Sequence, residues 1–153
     1  MYEDQRTERK IYRKRGASKD KRGIIRDRTD ISQRPVVLEL RERIGDLEID
    51  TIIGQSHQGA IVTINDRASG MLKMKKLNGK DAKELAIATV YILQEWKPFL
   101  QTITADNGKE FADHKFISEE LGISFYFARP YHSWGCGSNE NLNGLIRLCF
   151  GFE

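Results

Sequence analysis

The sequence predicts a mixed α/β fold in which helices pack on a five-stranded sheet. Short segments rich in Ile, Val and Thr end at turns that contain Gly, Pro or Asp, as β-strands do. Segments with helical length and periodicity separate the later strands. The third observation is length, because 153 residues have room for one core and an extended arm. The predicted order of elements is β-β-β-α-β-α-β-α.

Residues 1–34 are predicted to form a basic arm or linker, and residues 35–153 the folded domain. The arm lacks sustained periodicity and closes at Arg34-Pro35. It contains 12 Lys and Arg against 6 Asp and Glu, whereas the rest of the chain contains 13 against 16. A basic arm beside a mildly acidic body favours contact with a phosphate backbone. Composition alone fits a solvated, disordered linker equally well.

The first half of the folded domain is predicted as three strands followed by a helix. The strands lie in RIGDLEIDTIIG, GAIVTINDRASG and MLKMKKLNG, whose short connections predict an antiparallel meander. The helix lies in DAKELAIATVYILQEW. Asp81 followed by Glu84 is the signature of a capping box at its start, and Pro98 marks its end.

The second half is predicted as strand, helix, strand and helix. FLQTITAD is a strand that ends in an Asp-Asn-Gly turn, HKFISEELG is a helix closed by Gly122, and ISFYFARPY is a strand stopped by Pro130. The last helix is expected to begin near Asn139. Helical spacing places Glu140, Asn143, Gly144 and Arg147 on a polar face, and Leu142, Leu145, Ile146 and Cys149 on an apolar face.

Three carboxylates, Asp50, Asp106 and Glu140, each lie at the edge of an apolar segment, with 33 residues between the last two. If the fold brings them together, they can hold Mg²⁺. A pair of such ions can activate the attacking oxygen and stabilise the leaving oxygen of a phosphodiester. Phosphodiester chemistry on nucleic acid is therefore the leading functional hypothesis.

Each carboxylate also has a purely structural alternative. Alternation along the strand places Asp46, Glu48 and Asp50 on one face, which is typical of a solvated face. Isoleucines surround Asp50, however, and make an uncompensated charge there costly. Asp106 begins a favourable turn sequence, but it also lies at the carboxyl end of a strand, where ligands bind in α/β sheets. Glu140 lies in the first turn of its helix, where the macrodipole stabilises an anion.

Cysteine and histidine usage argues against a disulfide framework and against a zinc site. Cys136 and Cys149 form no Cys-x-x-Cys pair and have no metal-like spacing from any histidine. The histidines, His57, His114 and His132, are assigned to loops or to the surface. No run of about 18 apolar residues occurs and the N-terminus is charged. A cytoplasmic chain with no membrane partner is therefore expected.

Four sequence blocks resemble the insertion-sequence-thirty family of bacterial transposases. They are GDLEIDTIIG, ITADNGKEFADH, YFARPYHSW and GSNENLNGLIR, in the family's order and with its spacing of Asp, Asp, 33 residues, Glu. The resemblance covers roughly residues 10–150 and implies a ribonuclease-H-like fold similar to that of retroviral integrase. It implies that Asp50, Asp106 and Glu140 are the catalytic residues and the ligands of two Mg²⁺ or Mn²⁺ ions.

The resemblance also implies a function and its partners. The function would be DNA cleavage and strand transfer, that is, transposition by DNA integration and recombination. The chain would bind the element ends and target DNA as a homo-oligomer. Residues expected to contact DNA or the metal ligands are Arg13, Lys14, Arg15, Lys21 and Arg22 in the arm, and Asn107, Asn141, Asn143 and Arg147 in the folded domain.

The sequence departs from the family's pattern at three places. No helix-turn-helix is expected ahead of the arm, where the family has one, and Gly135-Cys136 replaces a Glu-Arg pair. The chain reads LCFGFE where the family continues, so the last helix is expected to be truncated and the activity of the metal-dependent enzyme to be impaired. The alternative function is a catalytically dead remnant that binds DNA or inhibits a full-length transposase, and a cellular ribonuclease is a more distant one. Glu110 is the best substitute if Glu140 does not supply the third carboxylate.

Overall fold

The computed structural model describes residues 25–54, 59–129 and 137–150. In these ranges the chain forms one six-stranded mixed sheet with three α-helices packed against it. The strands are β1 (Thr29–Asp30), β2 (Asp46–Ile53), β3 (Ala60–Asp66), β4 (Leu72–Leu77), β5 (Thr102–Ala105) and β6 (Ser124–Phe127). The helices are α1 (Ala82–Leu93), α2 (His114–Leu121) and α3 (Gly137–Phe150). None of these helices combines the length and the apolar character that crossing a membrane requires.

The sheet has the strand order β1-β6-β5-β2-β3-β4. β2, β3 and β4 form the predicted antiparallel meander, whereas β2, β5, β6 and β1 run parallel to one another. The predicted succession of strands and helices is therefore confirmed from β2 onward. β1 is the difference from the predicted five strands, because its two residues are too few to show a periodic pattern. They belong to the predicted arm, from which Ile25 also packs in the core.

The main hydrophobic core lies between one face of the sheet and the helices α1 and α2. The sheet contributes Leu47, Ile49, Val62, Ile64 and Ile103, and the helices contribute Leu85, Leu93, Ile117 and Leu121. Burying each of these side chains contributes about 1.5–3 kcal/mol relative to leaving it exposed. The core therefore holds β2 and β5 side by side, which positions the residues at their ends.

Local signals set the ends of the first two helices. The Asp81 carboxylate caps α1 by accepting a hydrogen bond from the backbone N of Glu84 at 2.9 Å. The Glu84 side chain does not close the capping box, since its Oε1 accepts a hydrogen bond from the backbone N of Asn78 at 3.0 Å. The 3-10 turn that follows α1 contains Pro98. α2 ends at Gly122, which adopts a φ of +68° that favours glycine.

Helix α3 packs on the opposite face of the sheet. Its buried Ile146 and partly buried Leu142 belong to a small cluster with Ile52 of β2. Because side chains alternate along β2, this cluster lies on the other side of the sheet from the main core. Leu145 is 54% exposed and Cys149 is also exposed, so their predicted place on the apolar face is wrong. The reason is that α3 contacts the sheet along a narrow stripe only.

On this second face of the sheet, the acidic side chains of β2 are buried or half-buried, although a solvated face was one interpretation of the sequence. Asp46 is 2% exposed, and its two carboxylate oxygens accept hydrogen bonds from Arg43 at 2.8 and 2.9 Å. Glu48 is fully buried, with Oε1 at 3.1 Å from Nε of Arg67. Burial raises the pKa of Glu48 although the charge of Arg67 opposes this. The solvated-face interpretation of β2 is therefore wrong, because arginines from neighbouring segments cover the acids.

Candidate active site

Asp50 lies within β2, three residues before its last residue, and is half-buried. Its Oδ1 accepts a hydrogen bond from the backbone N of Thr51 at 2.7 Å, and its Oδ2 accepts one from Nδ2 of Asn143 at 2.5 Å. Burial raises the pKa of Asp50 above its ordinary value, and the negative charges of Asp106 and Glu110 raise it further. A bound cation would relieve this unfavourable environment.

Asp106 follows β5 directly. The parallel strands β2 and β5 pair Glu48 with Thr104, so Asp50 and Asp106 each lie two residues beyond this pair, side by side where β5 has ended and β2 continues. Oδ1 of Asp106 accepts a hydrogen bond from the backbone N of Gly108 at 2.8 Å, which fixes the turn. Asp106 as a whole residue is exposed at the rim of the sheet, but its carboxyl group is partly desolvated. This desolvation raises the pKa of Asp106, and the negative charge of Glu110 raises it further.

Helix α3 brings a third element to this edge of the sheet. Besides donating to Asp50, Asn143 accepts a hydrogen bond from Oγ1 of Thr63 at 3.4 Å through its own Oδ1. Glu140 precedes Asn143 by three residues in the sequence of α3, so helical periodicity predicts a shared face for the two. The side chain of Glu140 lies outside the described part of the structure, and its convergence with the two aspartates stays a prediction.

Glu110 lies in the short 3-10 turn that follows Asp106 and is only 6% exposed. Its Oε1 accepts a hydrogen bond from Oγ1 of Thr51 at 2.6 Å and lies 3.2 Å from Nζ of Lys80. Burial opposes its ionisation, but the hydrogen bond from Thr51 and the charge of Lys80 outweigh it and lower the pKa of Glu110. Glu110 is therefore an ionised carboxylate with partners inside the protein.

The chemistry of the donors fits a hard divalent cation, because Mg²⁺ and Mn²⁺ prefer carboxylate oxygens. Asp50 and Asp106 supply two such groups at one edge, each with a raised pKa. Among the side chains that the structure describes, no three Asp, Glu, His or Cys residues are placed to hold a metal ion. Glu110 therefore does not complete a set with the two aspartates, and the predicted third ligand remains Glu140.

The residues predicted to contact DNA have different surroundings. Asn141 and Arg147 are exposed on α3. Asn107 is held inside the protein, since its Oδ1 accepts a hydrogen bond from Nη1 of Arg28 at 2.5 Å and its Nδ2 donates to the backbone O of Ala128. The five arm residues Arg13, Lys14, Arg15, Lys21 and Arg22, together with Gly135-Cys136, lie outside the described residues. DNA contact by these groups stays a prediction.

Sequence reasoning missed the partners of the site residues. Thr51 meets Glu110 across 59 positions of sequence, and Arg28 meets Asn107 across 79. Lys80 reaches the same glutamate from the loop before α1. No local pattern marks these residues, because each acquires its role only through contacts that the sheet creates.

The prediction that His114 lies in a loop or on the surface is wrong. It is 4% exposed, and its ring packs edge-on against Phe127 with 4.9 Å between ring centroids. It lies in the core because α2 turns this side towards the sheet, as it does with Ile117 and Leu121. The helical spacing of these three positions was a signal that could have identified it. His57 and His132 lie outside the described residues.

The chain is similar to known transposases, although no protein-family model matches it. It is 57% identical over 136 residues to the transposase for insertion sequence element IS4351 of Bacteroides fragilis, covering 89% of this chain and 42% of that protein. It is 33% identical over 140 residues to transposase InsI for insertion sequence element IS30A of Escherichia coli strain K12, covering 90% of this chain and 36% of that protein. The chain thus spans about two-fifths of the length of the curated relatives it matches.

The fold is also found among solved structures. The catalytic core domain of BIV integrase superposes with a TM-score of 0.52 at 19% identity, over 63% of this chain and 62% of that one. This likeness confirms the predicted ribonuclease-H-like fold, with a mixed sheet and flanking helices. The chain is therefore homologous, over about nine-tenths of its own length, to insertion-sequence transposases that include IS30, and it has the fold of an integrase catalytic core.

Proposed function

We propose that this chain is the catalytic core of a DNA transposase that cleaves element ends and joins them to target DNA with the help of two divalent metal ions. The observation that carries the proposal is the placement of Asp50 and Asp106 side by side, just beyond the last paired residues of β2 and β5, where both have a raised pKa. Two acids held in this way ionise most readily beside a cation. The homology to transposases supplies the class of reaction.

Asp50, Asp106 and Glu140 are the residues proposed to hold the ions, Mg²⁺ or Mn²⁺. When bound, a pair of such ions activates the attacking oxygen and stabilises the leaving oxygen of a phosphodiester. The protein's own contribution is orientation. Asn143 fixes one oxygen of Asp50, and the backbone N of Gly108 fixes one oxygen of Asp106. Further lone pairs on both carboxylates stay available for a cation.

DNA is the proposed substrate and partner, bound as element ends and target by a homo-oligomer. The basic residues of the predicted arm would supply attraction to phosphates that does not depend on base sequence. Arg147 follows Asn143 by four residues in α3 and is exposed, so it lies on the helix side that faces the proposed site. A guanidinium there suits bidentate contact with a backbone phosphate.

Nicking of supercoiled plasmid DNA tests the proposal without knowledge of the element's end sequence. The protein with Mn²⁺ should nick the plasmid. Asp50→Asn, Asp106→Asn and Glu140→Gln should each reduce the rate about 100-fold or more, since losing a ligand removes several kcal/mol of transition-state stabilisation. The matched control is Glu119→Gln, an exposed acid on α2 at the opposite face of the sheet, which should keep the full rate.

Two results would overturn the proposal. One is nicking that persists in Asp50→Asn, and the other is nicking that persists when a chelator removes the metal. If the protein binds DNA and metal but never nicks, the function is instead that of a DNA-binding or inhibitory remnant.

A further inference from the structure

Glu110 connects the two chain segments that carry the proposed metal ligands. Its carboxylate accepts a hydrogen bond from Oγ1 of Thr51, the residue after Asp50, at 2.6 Å. Glu110 itself lies four residues after Asp106, in the 3-10 turn that leaves β5. One carboxylate therefore ties the second half of β2 to the turn that begins at Asp106.

Gly108 shows how closely this carboxylate fits the turn. A Cβ atom at Gly108 would lie 2.6 Å from the carboxyl carbon of Glu110 and 2.6 and 2.8 Å from its two oxygens. The backbone of Gly108 has a φ of −64°, which any residue adopts without strain. Conformation therefore does not require glycine here, whereas the packing of the carboxylate against the turn does.

The partners of Glu110 point to a structural task rather than to metal binding. Oε1 lies 3.2 Å from Nζ of Lys80 in addition to accepting from Thr51, so a cation and a hydroxyl already compensate its charge. The residue is 6% exposed, which leaves little access for a phosphate or for water. Within the described side chains it also forms no metal-binding group with Asp50 and Asp106.

We propose that Glu110 is a positioning residue, which sets the separation of Asp50 and Asp106 by holding Thr51 against the turn after β5. This inference rests on the proposed function, because the two aspartates matter only if they share a metal site. Partners that orient metal ligands typically change metal affinity 10–100-fold when they are removed, so the expected effect is about 10-fold. Thr51, Lys80 and Glu110 come from three segments that are distant in sequence, and the hydrogen bond between Thr51 and Glu110 needs both the hydroxyl and the acceptor oxygen.

A set of variants at Thr51 and Glu110 tests this role through Mn²⁺ binding, measured by electron paramagnetic resonance on the metal alone without DNA. Thr51→Val removes the hydroxyl, whereas Thr51→Ser keeps it and should restore near-normal affinity. Glu110→Gln keeps the side-chain volume and one acceptor oxygen but loses the ion pair with Lys80. Each of Thr51→Val and Glu110→Gln should weaken binding about 10-fold, because the first removes the hydrogen-bond donor and the second removes the ion pair that holds the acceptor in place. The double variant should weaken binding by less than the product of the two single effects, since both changes act on one network.

The outcomes separate this inference from the proposed function. If Asp50→Asn binds Mn²⁺ as well as the unmodified protein does, the proposed metal site itself fails. If Asp50→Asn loses binding while Thr51→Val and Glu110→Gln keep it within about twofold, only the positioning role fails. If Glu110→Gln abolishes binding as completely as Asp50→Asn, the residue is a ligand and the inference is overturned. Should Glu110→Gln not fold, the comparison of Thr51→Val with Thr51→Ser decides, and equal defects in both would overturn the role.

Discussion

Replacing Asp50 with Asn should have opposite effects on stability without and with metal. In the metal-free protein, burial and then the charge of Asp106 raise the folded-state pKa of Asp50 above its unfolded value. An acid of this kind opposes folding when it is ionised, and the penalty disappears as the pH falls through the folded-state pKa. Metal-free Asp50→Asn should therefore be at least as stable as the unmodified protein at neutral pH, and the difference should shrink towards acidic pH.

The comparison of Asp50→Asn with the unmodified protein reports the change in charge, because Asn at this position can keep both hydrogen bonds. An Asn side chain at this position can still accept the hydrogen bond from the backbone N of Thr51 with its oxygen. Its amide nitrogen would face Asn143, which can rotate its own amide by half a turn and accept the hydrogen bond instead of donating it. The substitution therefore leaves no buried group without a partner, and the change in charge dominates the outcome.

With metal bound, the unmodified protein should become more stable than Asp50→Asn. A cation that binds only the native state stabilises it by about 2.7 kcal/mol at 100 times its Kd. For a chain of 153 residues, a shift of about 2–4 °C per kcal/mol gives a rise in Tm of roughly 5–11 °C. Asp50→Asn should lose most of this rise, because a neutral amide replaces a carboxylate ligand.

Thermal unfolding followed across a Mg²⁺ titration measures both effects. The matched control is Asp46→Asn, on the same face of β2, where the carboxylate is paired with Arg43 and accepts a hydrogen bond from Oγ1 of Thr102 at 2.8 Å. This variant should be less stable without metal but should keep the full metal response. Equal metal responses of the unmodified protein and Asp50→Asn would refute the reasoning, as would a metal-free Asp50→Asn protein that melts well below the unmodified one.

Three further predictions concern the backbone just before β2, a buried ion pair of β2 and the hydrogen-bond partner of Asp50. Gly45→Ala should lose about 2–5 kcal/mol in urea unfolding, because φ is +94° and the added Cβ would lie 1.9 Å from a backbone carbonyl oxygen. Gly79→Ala, with nothing within 4 Å, is its control, and equal losses would contradict the explanation. Arg67→Met should cost about 3–5 kcal/mol by leaving Glu48 buried without its partner, and adding Glu48→Leu should recover most of it. Burial already raises the pKa of Glu48, so the Arg67→Met loss should shrink at acidic pH, and a loss that does not change with pH would argue against this cause. Asn143→Ala should weaken Mn²⁺ binding about 10–100-fold in a titration, and unchanged affinity would show that it does not orient the carboxylate.

The sequence by itself determined the elements and two of the candidate ligands. Strand alternation, the Asp81 cap and Gly122 act through neighbours within a few positions, so the order of strands and helices could be predicted. The same local patterns placed Asp50 in one strand and Asp106 directly after another. The positions of the three acids raised the hypothesis that they form one site with Glu140, and the resemblance to transposases strengthened it.

Only the tertiary structure decided how polar groups are buried and paired. The acids of β2 looked solvated in sequence, yet Glu48 is fully buried beside Arg67, and Oγ1 of Thr51 donates a hydrogen bond to Glu110 from 59 positions away. The short strand β1 and its contact with the sheet were equally invisible. The physical reason is that backbone conformation follows from nearby residues, whereas the burial and charge environment of a side chain depends on segments that meet only after the sheet has formed.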